Sequence, residues 1–131
     1  HRAAGPELAA ACAKIGRCPT GGARMTLGFE LKARQVIHAV GPRWQGGTDD
    51  EERLLAAAYT SSLDLAAWHR LASLAFPAIS TGIYGFPLGP ATRIAVETVR
   101  RHLEKNALPS KVIFAVFGSQ AEAIYRKALA G

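Results

Sequence analysis

The chain has 131 residues, of which 49% are hydrophobic and 20% charged, and its net charge is +6. That length can bury one core without metal or disulfide staples, and the composition excludes disorder. No apolar run reaches the roughly 18 residues that cross a bilayer, and no signal-peptide pattern opens the chain, so a soluble cytoplasmic protein is expected.

Residues from about His1 to Lys14 read as a helix, with Gly5-Pro6 as a kink or restart. The chain opens without Met and in mid-helix, with no N-cap before it, which predicts a further segment upstream. Cys12 and Cys18 lack a second pair of ligands at metal spacing, so two reduced thiols are expected rather than zinc. Cys18 to Ala23 is a loop, Arg24 to Leu27 a short strand, and Gly28 and Lys32 bracket a second loop. Gln35 to Val40 is a β-branched strand closed by Gly41-Pro42.

Thr48, Asp49 and Asp50 offer caps for a helix running towards Arg70, and Glu51 and Glu52 suit the positive end of its dipole. Its apolar stripe is Leu54, Leu55, Ala58, Leu65 and Trp68. Ser73 to Phe76 is a short strand. Pro87 to Asn106 is a long helix with Ile94, Val96, Val99 and Leu103 along it and Pro90 in its first turn. Lys111 to Phe117 is a continuous apolar strand, and Ser119 to Leu129 a last helix. Apolar strands alternating with helices imply a sheet covered on both faces, hence one three-layer α/β/α domain over residues 1–131.

The stretch AISTGIYGFP, Ala78 to Pro87, joins a strand to a helix, where ligands bind in open α/β sheets. Gly82 and Gly85 let backbone N–H groups approach a ligand, Ser80 and Thr81 add hydroxyls, and the next helix adds unpaired amides and partial positive charge. These features describe a phosphate or diphosphate cradle, or else a tight turn whose glycines serve geometry alone. Neither GxxxxGK[ST] nor GxGxxG occurs, which excludes a P-loop and the common dinucleotide fingerprint. Tyr84 in the loop and Phe117 at the end of another strand offer aromatic faces for a base or ribose, with a core plug as the alternative for Phe117.

At these residues the chain resembles a macro domain of the ADP-ribosyl hydrolase and O-acetyl-ADP-ribose deacetylase branch. The resemblance runs in order through His1–Leu8, Cys18–Gly21, Val36–Pro42, Ala75–Gly85 and Val112–Phe117. It implies a mixed, mostly parallel central sheet, incomplete at its N-terminal side, and ADP-ribose or O-acetyl-ADP-ribose as ligand, with mono-ADP-ribosylated proteins as further partners. Ser80, Thr81, Gly82, Ile83, Tyr84 and Gly85 would hold the diphosphate and distal ribose, and Phe117 would pack on the adenosine half; no metal or cofactor is implied. The family's asparagine-bearing turn, its water-positioning aspartate and its adenine-recognising acid precede the residues matched by His1. No catalytic residue is therefore assigned within this chain.

No internal replacement is expected. Asp49, Asp50, Glu51 and Glu52 read as helix-start partners, His38 as a satisfied core histidine, His69 and His102 as helix-surface residues and Asp64 as isolated. Hydrolysis of an acyl or ADP-ribosyl ester by a bound water is the leading function, and non-catalytic reading of ADP-ribose the alternative. RNA binding, suggested by the charge, is weakest, because the basic residues are scattered (Arg2, Lys14, Arg17, Arg24, Lys32, Arg34, Arg43, Arg53) and no RNP-like aromatic pair occurs.

Overall fold

The computed structural model describes residues 6–16, 18–28, 35–82 and 84–131. The expected helix over His1–Lys14 is found as α1 (Pro6–Ile15), with the proline at its first position, where a missing N–H costs nothing; residues 1–5 lie outside the described set. There follow β1 (Ala23–Leu27), β2 (Gln35–Ala39), α2 (Glu51–Trp68), β3 (Ser73–Phe76), α3 (Leu88–Lys105), β4 (Lys111–Phe114) and α4 (Ser119–Ala130). No helix among the described residues is long and apolar enough to cross a membrane.

Both kinds of strand pairing occur. β1 and β2 are antiparallel, with Ala23 opposite Ala39 and Leu27 opposite Gln35, and β3 and β4 are parallel, with Ser73 opposite Lys111 and Phe76 opposite Phe114. Among the described residues these are two separate ladders rather than one continuous sheet. Residues of β2 and β3 both line a cleft of about 1030 Å³, to which Ser62 and Leu71 also contribute. β4 is shorter than its apolar run. Ala115 N–H still donates to Phe76 C=O (2.7 Å), but the partner strand then meets Pro77, which has no N–H to continue the ladder.

α2 packs on α3 and on both β1 and β2, and α3 packs on α4. Leu55, Tyr59 and Leu63, spaced by one helical turn, face Phe76, Phe86, Ile94, Ala95 and Val99 in the core. The stripe expected on α2 is therefore rotated: Tyr59 and Ser62 belong to it, whereas Trp68 in the last turn is 82% exposed. On α3 the buried residue is His102 rather than Leu103, so the expectation of a surface His102 is corrected. Its Nε2 faces Leu108 C=O at 3.1 Å and its Nδ1 lies 3.6 Å from Asp64, which is therefore not isolated. A buried imidazole between two polar partners can occupy a helix face that its composition marks as wet.

The expected side-chain caps on α2 are absent. Asp50, the N-cap, has φ 60° and makes no capping bond, and Thr48 Oγ1 donates to Gln45 C=O instead. Glu51 serves in their place. Its fully buried carboxylate accepts N–H bonds from Gln45 (2.6 Å), Gly47 (2.8 Å) and Asp49 (2.5 Å), folding the preceding loop back on the helix start. Burial by itself raises the Glu51 pKa, but the backbone amides outweigh it and hold it below its ordinary value of 4.5. The ionised form is thus favoured by folding: its contribution is present above that value and lost as pH falls through the lower folded one. Glu51→Gln turns an amide NH₂ towards those donors. Thermal melts between pH 3 and 7 should show a midpoint lowered by several degrees at neutral pH and a flattened acid limb; unchanged melts would mean that the carboxylate is dispensable.

Candidate functional site

The segment Ala78–Pro87 begins just past β3, and the segment Gly41–Trp44 just past β2, so the two strands run out to one rim. Gly41 is buried, and a Cβ there would stand 2.2 Å from Ser80 Oγ and 2.5 Å from Ile79 Cγ2. Glycine is required here by close approach. From below, Tyr59 on α2 secures the entry of the loop: its hydroxyl donates to Pro77 C=O (3.4 Å) and accepts from Ile79 N–H (3.3 Å), with its ring edge-on to Phe76 at 4.9 Å. Burial pushes its phenol pKa far up, so the hydroxyl stays protonated for that double role. At the exit, buried Phe86 anchors the loop against the Trp44 ring, 4.7 Å between centroids.

Not every amide in the loop is bare. Thr81 N–H donates to Ala78 C=O (3.3 Å), Gly85 N–H to Gly82 C=O (3.0 Å), and Phe86 N–H to Ser80 C=O (2.9 Å). The Thr81 hydroxyl also donates to Ala78 C=O (2.8 Å), so it shapes the turn and is not a spare donor. The amides of Ser80, Gly82 and Tyr84 make no bond to any described residue. The amides of Thr81, Gly85 and Phe86 thus fold the turn, while those of Ser80, Gly82 and Tyr84 have no partner among the described residues. Ile83, expected to belong to the same set, lies outside the described residues.

Ser80 has φ 67°, in the left-handed region a non-glycine residue rarely enters, and its Oγ is buried with no hydrogen-bond partner among the described residues. A strained backbone and an orphaned hydroxyl at one residue cost on the order of 1–3 kcal/mol each and concentrate at ligand sites. Gly82 and Gly85 face open space, Gly85 with φ 73°. Tyr84 is 41% exposed, with the Arg43 guanidinium over its ring at 5.6 Å, and its C=O accepts from Trp44 N–H at 2.8 Å.

Phe117 is not a core plug. It stands three residues beyond β4, at the end of that ladder from which the loop also departs, and is 92% exposed with no described ring against it. Phe114 does pack inward, against Tyr125 at 5.2 Å and Phe76 at 6.4 Å. His38 is engaged elsewhere. It is half-buried on the cleft wall, 2.9 Å from Thr26 Oγ1 and 3.7 Å from Cys12 Sγ, and burial lowers its pKa. Cys12 and Cys18 are both reduced. No cluster of three metal-ligating side chains forms among the described residues.

Tyr59, Gly41 and Trp44 support the loop, and none of them stands out for that role in the sequence. Tyr59 could have been found as the one polar-tipped residue at the i+4 position between Leu55 and Leu63. Gly41 could have been found only by knowing that two strand ends meet.

The fold and this loop can be set beside known proteins. The chain is 50% identical over 130 residues to a macro domain-containing protein of Mesorhizobium japonicum, covering 99% of this chain and 74% of that one. It is 47% identical over 133 residues to an O-acetyl-ADP-ribose deacetylase of Escherichia coli K12, covering 98% and 75%. Among solved structures, the Oceanobacillus iheyensis macrodomain with ADP superposes with a TM-score of 0.94 at 39% identity, covering 99% of this chain and 72% of that one. The Trypanosoma brucei macrodomain in complex with ADP-ribose superposes with a TM-score of 0.91 at 40% identity, covering 98% and 54%. The Macro domain family pattern matches residues 1–95, and with these likenesses over nearly its whole length the chain belongs to the macro domain family and has its α/β fold.

Proposed function

We propose that this chain binds ADP-ribose and acts on an acyl or ADP-ribosyl ester of it, O-acetyl-ADP-ribose or an ester-linked mono-ADP-ribosyl protein, through attack by water. One observation carries the binding: the turn uses the amides of Thr81 and Gly85 to hold its shape and leaves those of Ser80, Gly82 and Tyr84 at a rim that Ser80 reaches in a strained conformation. Convergent N–H donors on a strand-to-helix loop suit a diphosphate. The deacetylase name of the Escherichia coli relative and the ligands of the two solved macrodomains support the substrate class. Ester hydrolysis would add water across the acyl C–O bond, releasing the carboxylic acid and ADP-ribose.

A specific observation favours the second reading, a binder without chemistry. No carboxylate or imidazole among the described residues is bonded to the loop, and Glu51, the buried acid of the segment after β2, is committed to three backbone amides. Hydrolysis would need a positioned water and a base within hydrogen-bond reach. Calorimetry with ADP-ribose, paired with acetate release from O-acetyl-ADP-ribose, separates the readings. Binding with turnover supports the hydrolase, binding without turnover the reader, and AMP bound as well as ADP-ribose overturns the diphosphate assignment for both.

A further inference from the structure

Arg43 belongs to no element and, in the sequence, is one of several dispersed surface cations. The fold gives it a fixed place. It stands between buried Pro42 and Trp44, whose N–H donates to Tyr84 C=O and whose ring packs on Phe86. With its backbone held on both sides, its guanidinium lies over the Tyr84 ring, 5.6 Å from the centroid. One face of that ring is therefore covered by a cation, and the phenol stays 41% exposed.

We infer that Arg43 is a positioning residue for the ligand site. It holds the Tyr84 ring against the Gly41–Trp44 segment so that the uncovered face is presented to the sugar of a ligand whose diphosphate lies in the loop. This rests on the ADP-ribose reading above and extends it to a residue outside the loop. Four contacts then join the segments after β2 and β3: Gly41 against Ser80, the Trp44 ring on Phe86, Trp44 N–H to Tyr84 C=O, and Arg43 on the Tyr84 ring. The first three hold the two segments together, and among the described residues only the fourth restrains the Tyr84 ring, which would otherwise turn about its side-chain bonds at the loop tip. A guanidinium over an exposed ring keeps its charge and most of its hydration, so the restraint is weak.

The test is a set of calorimetric titrations with ADP-ribose on the chain, Arg43→Ala, Tyr84→Ala, Tyr84→Phe and the two double variants, each checked by thermal melt. Arg43→Ala is expected to weaken binding about two- to fivefold with an unchanged midpoint, the range of an exposed cation–ring contact. The same change should persist on the Tyr84→Phe background, where a ring remains, and vanish on Tyr84→Ala. Arg43→Ala without effect on the parent chain, or weakening Tyr84→Ala as much as the parent, overturns the inference while leaving the ADP-ribose reading intact. A parent chain that does not bind ADP-ribose sinks that reading, and this inference with it.

Discussion

Gly82→Glu is expected to abolish ADP-ribose binding, with affinity falling roughly a hundredfold or more and the fold left intact. A Cβ at Gly82 meets no atom within 4 Å, and its backbone is not in the left-handed region, so the protein can accept a side chain there. The change in folding stability should stay within about 0.5 kcal/mol, as for other surface substitutions. The ligand cannot accept it in the same way. A carboxylate a few ångströms from a bound diphosphate, at an effective dielectric of about 20, opposes it by several kcal/mol. Gly82→Ala separates charge from bulk: it should weaken binding far less than glutamate does. Calorimetry with paired melts decides the matter. A folded Gly82→Glu chain that still binds ADP-ribose would place the diphosphate elsewhere.

Gly41→Ala should do the opposite and damage both fold and site. The added methyl would meet Ser80 Oγ and Ile79 Cγ2 well inside van der Waals contact, so either the end of β2 or the loop must move. Overpacking of this kind costs roughly 1–3 kcal/mol of stability. Because the displaced residues include Ser80, whose amide has no partner among the described residues, the proposed ADP-ribose affinity should fall about tenfold through misplacement alone. Denaturant unfolding and calorimetry on the same preparation report both effects. Wild-type values in both would show that the two segments part readily and are not a preset site.

Much of the fold could be read before any coordinates. β1, β2, β3, α2, α3 and α4 fall within a residue or two of their expected spans, because β-branched runs and helical spacing are local signals. Pairing is not local. The runs that make β2 and β3 say nothing of which edges meet, and the two ladders facing one cleft were not legible in them. The loop itself was legible from its glycines and hydroxyls, but its division of labour was not. The Thr81 hydroxyl, expected among the ligand donors, closes its own turn, and which hydroxyl points inward depends on dihedral angles that composition does not carry. Arg43 illustrates the same limit. Its charge was visible, but its meaning depends on a tyrosine about forty positions away, brought beside it by two strands that end together.

The carboxylate of Glu51 has a reach beyond the helix it opens. It gathers the amides of Gln45, Gly47 and Asp49, and the residue just before them, Trp44, is the one that grips Tyr84. The aromatic lip of the Ala78–Pro87 loop is thus suspended, through a few main-chain links, from a single ionised acid on a different element. Protonating that acid should therefore loosen the lip as well as the helix start, so ADP-ribose affinity measured by calorimetry should decline with the melting midpoint as pH falls.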